Sequence, residues 1–318
     1  MKRTIQTLLG VVVTLLIFNA HGQYNTEPHL QEEVWYLQVH KNIDLFVMEV
    51  GQGDTVVVVH GGFGAEHGYL TELFKGMEKD FHLVFYDQRG SLRSPANDTL
   101  ISAMSHVQDL EQLRTELGVN QLNLFGHSMG TWICSAYLEK YPDRVKRMTL
   151  MGLVWPKPDM NDEESELDDL GQANFSKFIQ RNEVQQEMAE EGLDGQGLGD
   201  RDATRKWRIK FASANIYDIS NWRNVKGGWV FYNQSAGTAS GQSMPQDYNW
   251  IKVYRENPQV PITVINGSHD FVDFGGLLHK QWLSPLKHVS YHYIENAGHN
   301  SWIDQPKKVR KLLYQSLN

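Results

Sequence analysis

Gly126-His127-Ser128-Met129-Gly130 sets a serine between two glycines, each two positions away, after the apolar run Leu122–Phe125 and before a helical pattern at Thr131–Lys140. Strand, sharp turn and helix in that order make a nucleophile elbow. The glycines are needed because a side chain at either position would collide with the turn, and the helix start points unpaired N–H groups at the serine. A serine nucleophile needs a base, and the base needs an orienting carboxylate. On elbows of this kind the partners follow in the order acid, then histidine. Val264–Asp270 reads as a strand leaving into a loop that presents Asp270, with Asp273 as the alternative acid. Tyr291–His299 reads as a second strand whose loop presents His299. Ser128, Asp270 and His299 are therefore the candidate catalytic set. His60-Gly61-Gly62-Phe63-Gly64 follows another strand pattern, and its glycines let backbone N–H groups approach a developing oxyanion. Gly62, with Phe63 as the alternative, would share that role with the N–H of Met129.

These groups need a frame. Strands are expected at Asp44–Val50, Thr55–His60, His82–Tyr86, Leu122–Phe125, Met148–Met151, Ile262–Ile265 and Val289–Ile294. Helical patterns lie between them, notably Val107–Leu117, Thr131–Lys140 and Lys307–Leu317. Continuous apolar strands alternating with helices predict an α/β fold: a mostly parallel sheet covered on both faces. Such sheets gather their sites beyond the C-terminal strand ends, where all the candidate residues fall. Residues 155–250 break the rhythm, being polar, helix-prone and without a strand pattern, and read as an inserted helical cap or lid. The core then comprises residues 23–154 and 251–318.

Lys2 and Arg3, the apolar run Leu8–Phe18 and the small residues Ala20 and Gly22 read as a signal peptide, residues 1–22. The run is too short to span a bilayer, so export to the periplasm or medium is expected, without stable membrane insertion after cleavage. The 318 residues carry a formal charge of −8, which argues against a nucleic-acid partner. A single cysteine, Cys134, excludes an internal disulfide framework and a multi-cysteine zinc site. No metal-binding spacing occurs, and Gly195-Gln196-Gly197 lacks the strand that a dinucleotide loop requires. No cofactor or metal is expected. The basic stretches Lys206–Lys210 and Lys307–Lys311 read as solvated helix faces.

HGG at 60–62, DQRGSLRS at 87–94 and GHSMG at 126–130 together resemble the α/β-hydrolase superfamily. Within it the chain is most similar to proline iminopeptidase-like peptidases, over nearly the whole chain after residue 22. The resemblance implies a serine hydrolase with Ser128, Asp270 and His299 as its triad, releasing N-terminal residues from short peptides. It further implies that Asp87-Gln88-Arg89-Gly90 is a structural turn whose Asp87 and Arg89 pair or cap loops. Phe63 and Leu92 stand where those peptidases carry proline and glycine, and His127 and Met129 depart from their elbow. An aminopeptidase must hold an ammonium, for which the cap offers Glu163, Glu164, Glu166, Glu183, Glu187, Glu190 and Glu191. An esterase or lactonase acting on small acyl substrates would need no such carboxylate. A ligand-sensing protein could keep the fold without turnover.

Overall fold

The computed structural model describes residues 32–157, 161, 164–166, 177–226 and 232–318. Residues 1–22, read above as a signal peptide, Glu163 and much of the acidic run at 159–169 lie outside the described residues. Eight strands form one sheet in the order β1-β2-β4-β3-β5-β6-β7-β8. They are β1 Glu33–His40, β2 Ile43–Val50, β3 Asp54–Val59, β4 Phe81–Tyr86, β5 Leu122–His127, β6 Val145–Met151, β7 Ile262–Gly267 and β8 Val289–Ile294. The β1/β2 and β2/β4 pairs are antiparallel and all others parallel.

The described α-helices are α1 Thr71–Phe74, α2 Ala103–Glu116, α3 Met129–Lys140, α4 Asn182–Glu190, α5 Asp200–Asn215, α6 Gln234–Gln242, α7 Trp250–Glu256, α8 Leu277–Leu283, α9 Ser301–Asp304 and α10 Pro306–Leu317. Period-two alternation along β3 explains why both sheet faces are covered. Val57 and Val59 enter the core beneath α2, α3 and α7, while Val56 and Val58 enter a second core with Phe74, Trp302 and Leu313. No described helix is long and apolar enough to cross a membrane.

The expected strands are all present. β1 is the addition: an edge strand in which Val34 and Tyr36 are exposed, so it offers no continuous apolar run to read. β3 lies between β4 and β5, so the chain leaves β3 for one side and returns to the other. The loops after β3 and β5 therefore open at a reversal of strand order, where such sheets form a crevice.

The inserted segment contains no strand among its described residues. Its middle has a core of its own, including Val184, Ile209, Ala212 and Trp222. Its end does not. Trp250 opens α7 with its ring 5.5 Å from that of Trp132 on α3, and Tyr248 stacks on Trp250 at 4.9 Å. The expected cap boundary at residue 250 thus takes in aromatic rings that complete the main core.

His60, His106 and His127 are buried. Burial lowers the pKa of each, to about 3 for His106, where the nearby Arg89 guanidinium adds to the effect. In the unfolded chain a histidine titrates near ~6.5. Between that value and about 3 the unfolded state binds more protons, so stability rises with pH across the window and is lost on acidification. Urea unfolding at pH 7 and pH 4.5 should show lower stability in acid. His106→Gln keeps a partner for Ser240 Oγ and should remove on the order of 2 kcal/mol of that difference. An unchanged difference in the variant would mean that His106 does not take part.

Candidate active site

The elbow is assembled by sterics. A Cβ at Gly126 would lie 2.8 Å from Gly130 O, and one at Gly130 would lie 2.2 Å from Val59 O. Helix α3 therefore starts directly against β3, and the residue joining β5 to α3 must turn sharply. Ser128 does so at φ 53°, ψ −127°. Its N–H donates to Met151 O at 3.0 Å, and its carbonyl accepts from Thr131 Oγ1 at 2.6 Å. Met129 is the first residue of α3, so its N–H has no carbonyl within the helix to receive it.

The loops after β7 and β8 bring the acid and the histidine together. His269 N–H donates to Ala297 O at 2.8 Å, and Ser268 N–H to Ile294 O at 2.9 Å. Asp270 is fully buried and accepts from Val272 N at 2.9 Å and from His299 Nδ1 at 2.9 and 3.0 Å. With its proton on Nδ1, His299 presents Nε2 as an acceptor, and this buried atom has no hydrogen-bond partner among the described residues. Ser128 and His299 face the same cavity. Asp273, the alternative acid, is engaged elsewhere: it accepts from the N–H groups of Leu278 and His279 at 3.2 and 2.8 Å and pairs with the His279 ring.

A Cβ on Gly61 would lie 2.7 Å from Ser128 Cβ, which places the loop after β3 directly over the serine. Both sides of Gly61 are clamped. Its N–H donates to Tyr69 Oη at 2.7 Å. Gln88 N–H donates to His60 Nε2 at 3.0 Å, so the His60 proton sits on Nδ1 and goes to Gly61 O at 2.9 Å. The Gly61 carbonyl and the Gly62 N–H belong to one trans peptide and point opposite ways. Fixing the carbonyl on His60 turns the Gly62 N–H away from it, and Gly62 borders the cavity. Phe63, the alternative donor, has its side chain in the core, stacked on His106 at 5.1 Å.

Sequence reading did not single out Tyr69 or a role for His127. Tyr69 Oη lies 2.7 Å from His127 Nδ1, and His127 Nε2 lies 3.4 Å from His299 O. The His299 carbonyl can only accept, so the His127 proton sits on Nε2, and Nδ1 accepts a hydrogen bond from the Tyr69 hydroxyl, which in turn accepts from Gly61 N–H. Burial, and then the neighbouring His299, hold the pKa of His127 well down, so the ring is neutral. The loop carrying His299 is also tied to the cap. Asn300 N–H donates to Asn215 O at 2.8 Å. Asp304 accepts from Gly298, Tyr217 and Asp218 N–H groups at 2.9, 2.9 and 3.0 Å.

Asp87 and Arg89 stand apart from the cavity and do not pair with each other. Asp87 pairs with His67 at 2.7 Å. Burial, the largest single influence, would raise its pKa, but the His67 hydrogen bonds and the nearby His60 and His67 rings together outweigh it and hold it at about 2. Arg89 forms a two-pronged pair with Asp109.

The cavity measures about 570 Å³. The core supplies one wall, with Gly61, Gly62, Tyr69, His127, Ser128 and His299. The cap supplies Ile179, Trp207, Lys210, Phe211 and Ala214. None of the six described cap glutamates considered above lines it. Glu164 bonds Lys157 and Trp282, Glu187 bonds Trp222, and Glu191 bonds Arg205 and Arg223. The basic stretch Lys206–Lys210 is not simply a solvated face: helical spacing turns Trp207 and Lys210 inward with Phe211 and Ala214.

Gly152, just past β6, has φ +60°, and a Cβ there would lie 2.7 and 2.8 Å from His299 Cε1 and Nδ1. Gly192 has a similar φ of +69° with nothing within 4 Å. Alanine at either site should cost ~1 kcal/mol of stability through the backbone. Only Gly152→Ala should displace the imidazole, and it should slow fluorophosphonate labelling of Ser128 by about 100-fold. Equal labelling rates in the two variants would show that His299 does not need this space.

A model of the α/β hydrolase fold matches residues 54–306. The abhydrolase domain-containing protein abhd-5.2 of Caenorhabditis elegans is 26% identical over 82% of this chain and 58% of its own, so the chain spans little more than half of that relative. The 1-acylglycerol-3-phosphate O-acyltransferase ABHD5 of Sus scrofa is 26% identical over 86% of this chain and 78% of its own. A proline iminopeptidase of Heyndrickxia coagulans is 37% identical, but over 31% of this chain and 34% of its own rather than nearly the whole length expected above. Among solved structures, the esterase EaEST of Exiguobacterium antarcticum superposes with a TM-score of 0.64 at 18% identity, over 89% of this chain and 98% of its own. With the family model spanning most of its length, the chain belongs to the α/β hydrolase fold family.

Proposed function

We propose that this protein is a serine hydrolase that cleaves acyl esters of small amphiphilic molecules. One observation carries the reading: Ser128 and the Asp270-bound His299 face a largely apolar cavity whose described lining contains no carboxylate. His299 Nε2 takes the proton of Ser128 Oγ as the oxygen attacks the ester carbonyl. The N–H groups of Gly62 and Met129 receive the oxyanion. The same proton then goes to the departing alcohol, and water releases the acyl group by the reverse use of His299. Asp270 keeps the proton of neutral His299 on Nδ1 and stabilises the imidazolium that forms. The mammalian relatives are named for acyl transfer, which supports an acyl substrate. Export, supported by the apolar run Leu8–Phe18, would place this activity in the periplasm or medium.

An aminopeptidase is the second reading, favoured by the local likeness to a proline iminopeptidase. It requires a carboxylate facing the substrate amine, and the described cavity wall offers lysines instead.

Two sets of measurements test these readings. Ser128→Ala should abolish turnover and labelling. Asp270→Asn should lower turnover by roughly 10⁴ by leaving His299 in the wrong tautomer. Asp273→Asn should retain activity and lose stability at the start of α8. Persistent activity in Ser128→Ala would end both readings. Among substrates, p-nitrophenyl acyl esters should turn over well, and proline and alanine anilides should turn over poorly whether or not they are acetylated. Efficient cleavage of the unblocked anilides with loss on acetylation would replace the esterase reading by the peptidase one.

A further inference from the structure

Helix α5 carries Trp207, Lys210, Phe211 and Ala214 on the side that walls the cavity. Trp207 and Phe211 stack at 5.2 Å, so Lys210 shares its stretch of cavity wall with an aromatic, poorly hydrating pair. Two half-buried cations of this region are paired with carboxylates: Lys157 with Glu164 at 2.7 Å, and Arg205 with Glu191 and Asp202. Arg181 and Lys206 instead meet backbone carbonyls, and Arg208 lies over the Trp222 ring, all away from the cavity lining. Lys226, the second lysine on the cavity, lies 4.0 Å from Glu72. No carboxylate among the described residues comes within ion-pair distance of Lys210, and none lines the cavity with it. An ammonium held at an apolar wall without a counter-charge favours a ligand that supplies one.

We infer that Lys210 is a specificity-determining residue, and that the cavity takes amphiphiles with an apolar chain and an anionic group, a carboxylate or a phosphate. This rests on the acyl-ester reading for the identity of the chain, and it adds the charge of the group attached to it. The apolar part lies against Trp207, Phe211 and Phe271, and the anion meets the Lys210 ammonium.

Equilibrium binding to the full-length protein tests this independently of turnover. The probes are octanoate, monooctyl phosphate, octanol and octylammonium, followed by titration calorimetry. Both anions should bind roughly tenfold or more tightly than octanol, and octylammonium should bind more weakly than octanol. Lys210→Gln should remove most of that anion preference, and Lys210→Arg should retain it. Comparison of octanoate with monooctyl phosphate identifies the anion preferred. Octylammonium binding as tightly as octanoate in the unmodified protein would overturn the inference without any variant. An anion preference that survives Lys210→Gln would overturn it equally. Failure of the acyl-ester reading would appear separately, as absent ester turnover by the unmodified protein.

Discussion

The close approach of helix α3 to the centre of the sheet governs the geometry of the site. Gly130 lies so near β3 that a Cβ would sit 2.2 Å from Val59 O, and a Cβ on Gly126 would sit 2.8 Å from Gly130 O and 2.9 Å from Cys134 Sγ. The chain must pass from strand to helix in one residue. Ser128 accepts a left-handed φ of 53° to do so. Such a conformation costs ~1–3 kcal/mol and persists only where surrounding packing over-determines it. Here Trp132, Ile133, Tyr137 and Leu138 of α3 are wholly buried in the main core. The same packing that strains Ser128 exposes its hydroxyl to the cavity and sets the N–H of Met129 at the helix start next to it.

Around this turn the buried polar groups are mostly neutral, and their protons have assigned places. His60 and His127 are both held neutral by burial, and together with Tyr69 they fix the Gly61 peptide and hence the direction of the Gly62 N–H. This neutrality has a consequence for His299. The His127 ring centroid is 4.8 Å from that of His299. A charged His127 would oppose an imidazolium there, whereas a neutral one leaves the Asp270 carboxylate as the charge nearest to it.

Much of this was legible in the sequence because it is written locally. Parallel strands buried on both faces are short, continuous apolar runs, and β3 through β7 appear as such, while β8 is a half-buried edge strand marked by its aromatic and branched residues. The elbow has a backbone signature of glycines flanking a serine, and Asp270 and His299 stand at strand ends. What escaped has no local signature. β1 alternates exposed and buried residues at a sheet edge. Gly152 and Asp304 act across space on the His299 loop, and nothing in their neighbours marks them. The cap carboxylates were conspicuous by number, but number carries no orientation: Glu164, Glu187 and Glu191 satisfy partners within the cap. Lys206–Lys210 read as a solvated face because a basic run usually is one. Its helical period instead divides it between solvent and the cavity.

The cap is not a separable cover over a finished site. Helix α5 supplies the cavity wall through Trp207, Lys210, Phe211 and Ala214, and it ends at Asn215. Asn215 O receives Asn300 N–H, one residue past His299, and a Cβ on Gly298 would lie 2.6 Å from that same carbonyl. Asp304 then accepts from the N–H groups of Tyr217 and Asp218, two and three residues further along the cap, and from that of Gly298. The helix that walls the cavity and the loop that holds His299 therefore share one set of short backbone contacts. A shift of α5 relative to the sheet must either break these bonds or carry the His299 loop with it. Substrate fit at the cap wall and the placement of His299 Nε2 are in this way mechanically linked.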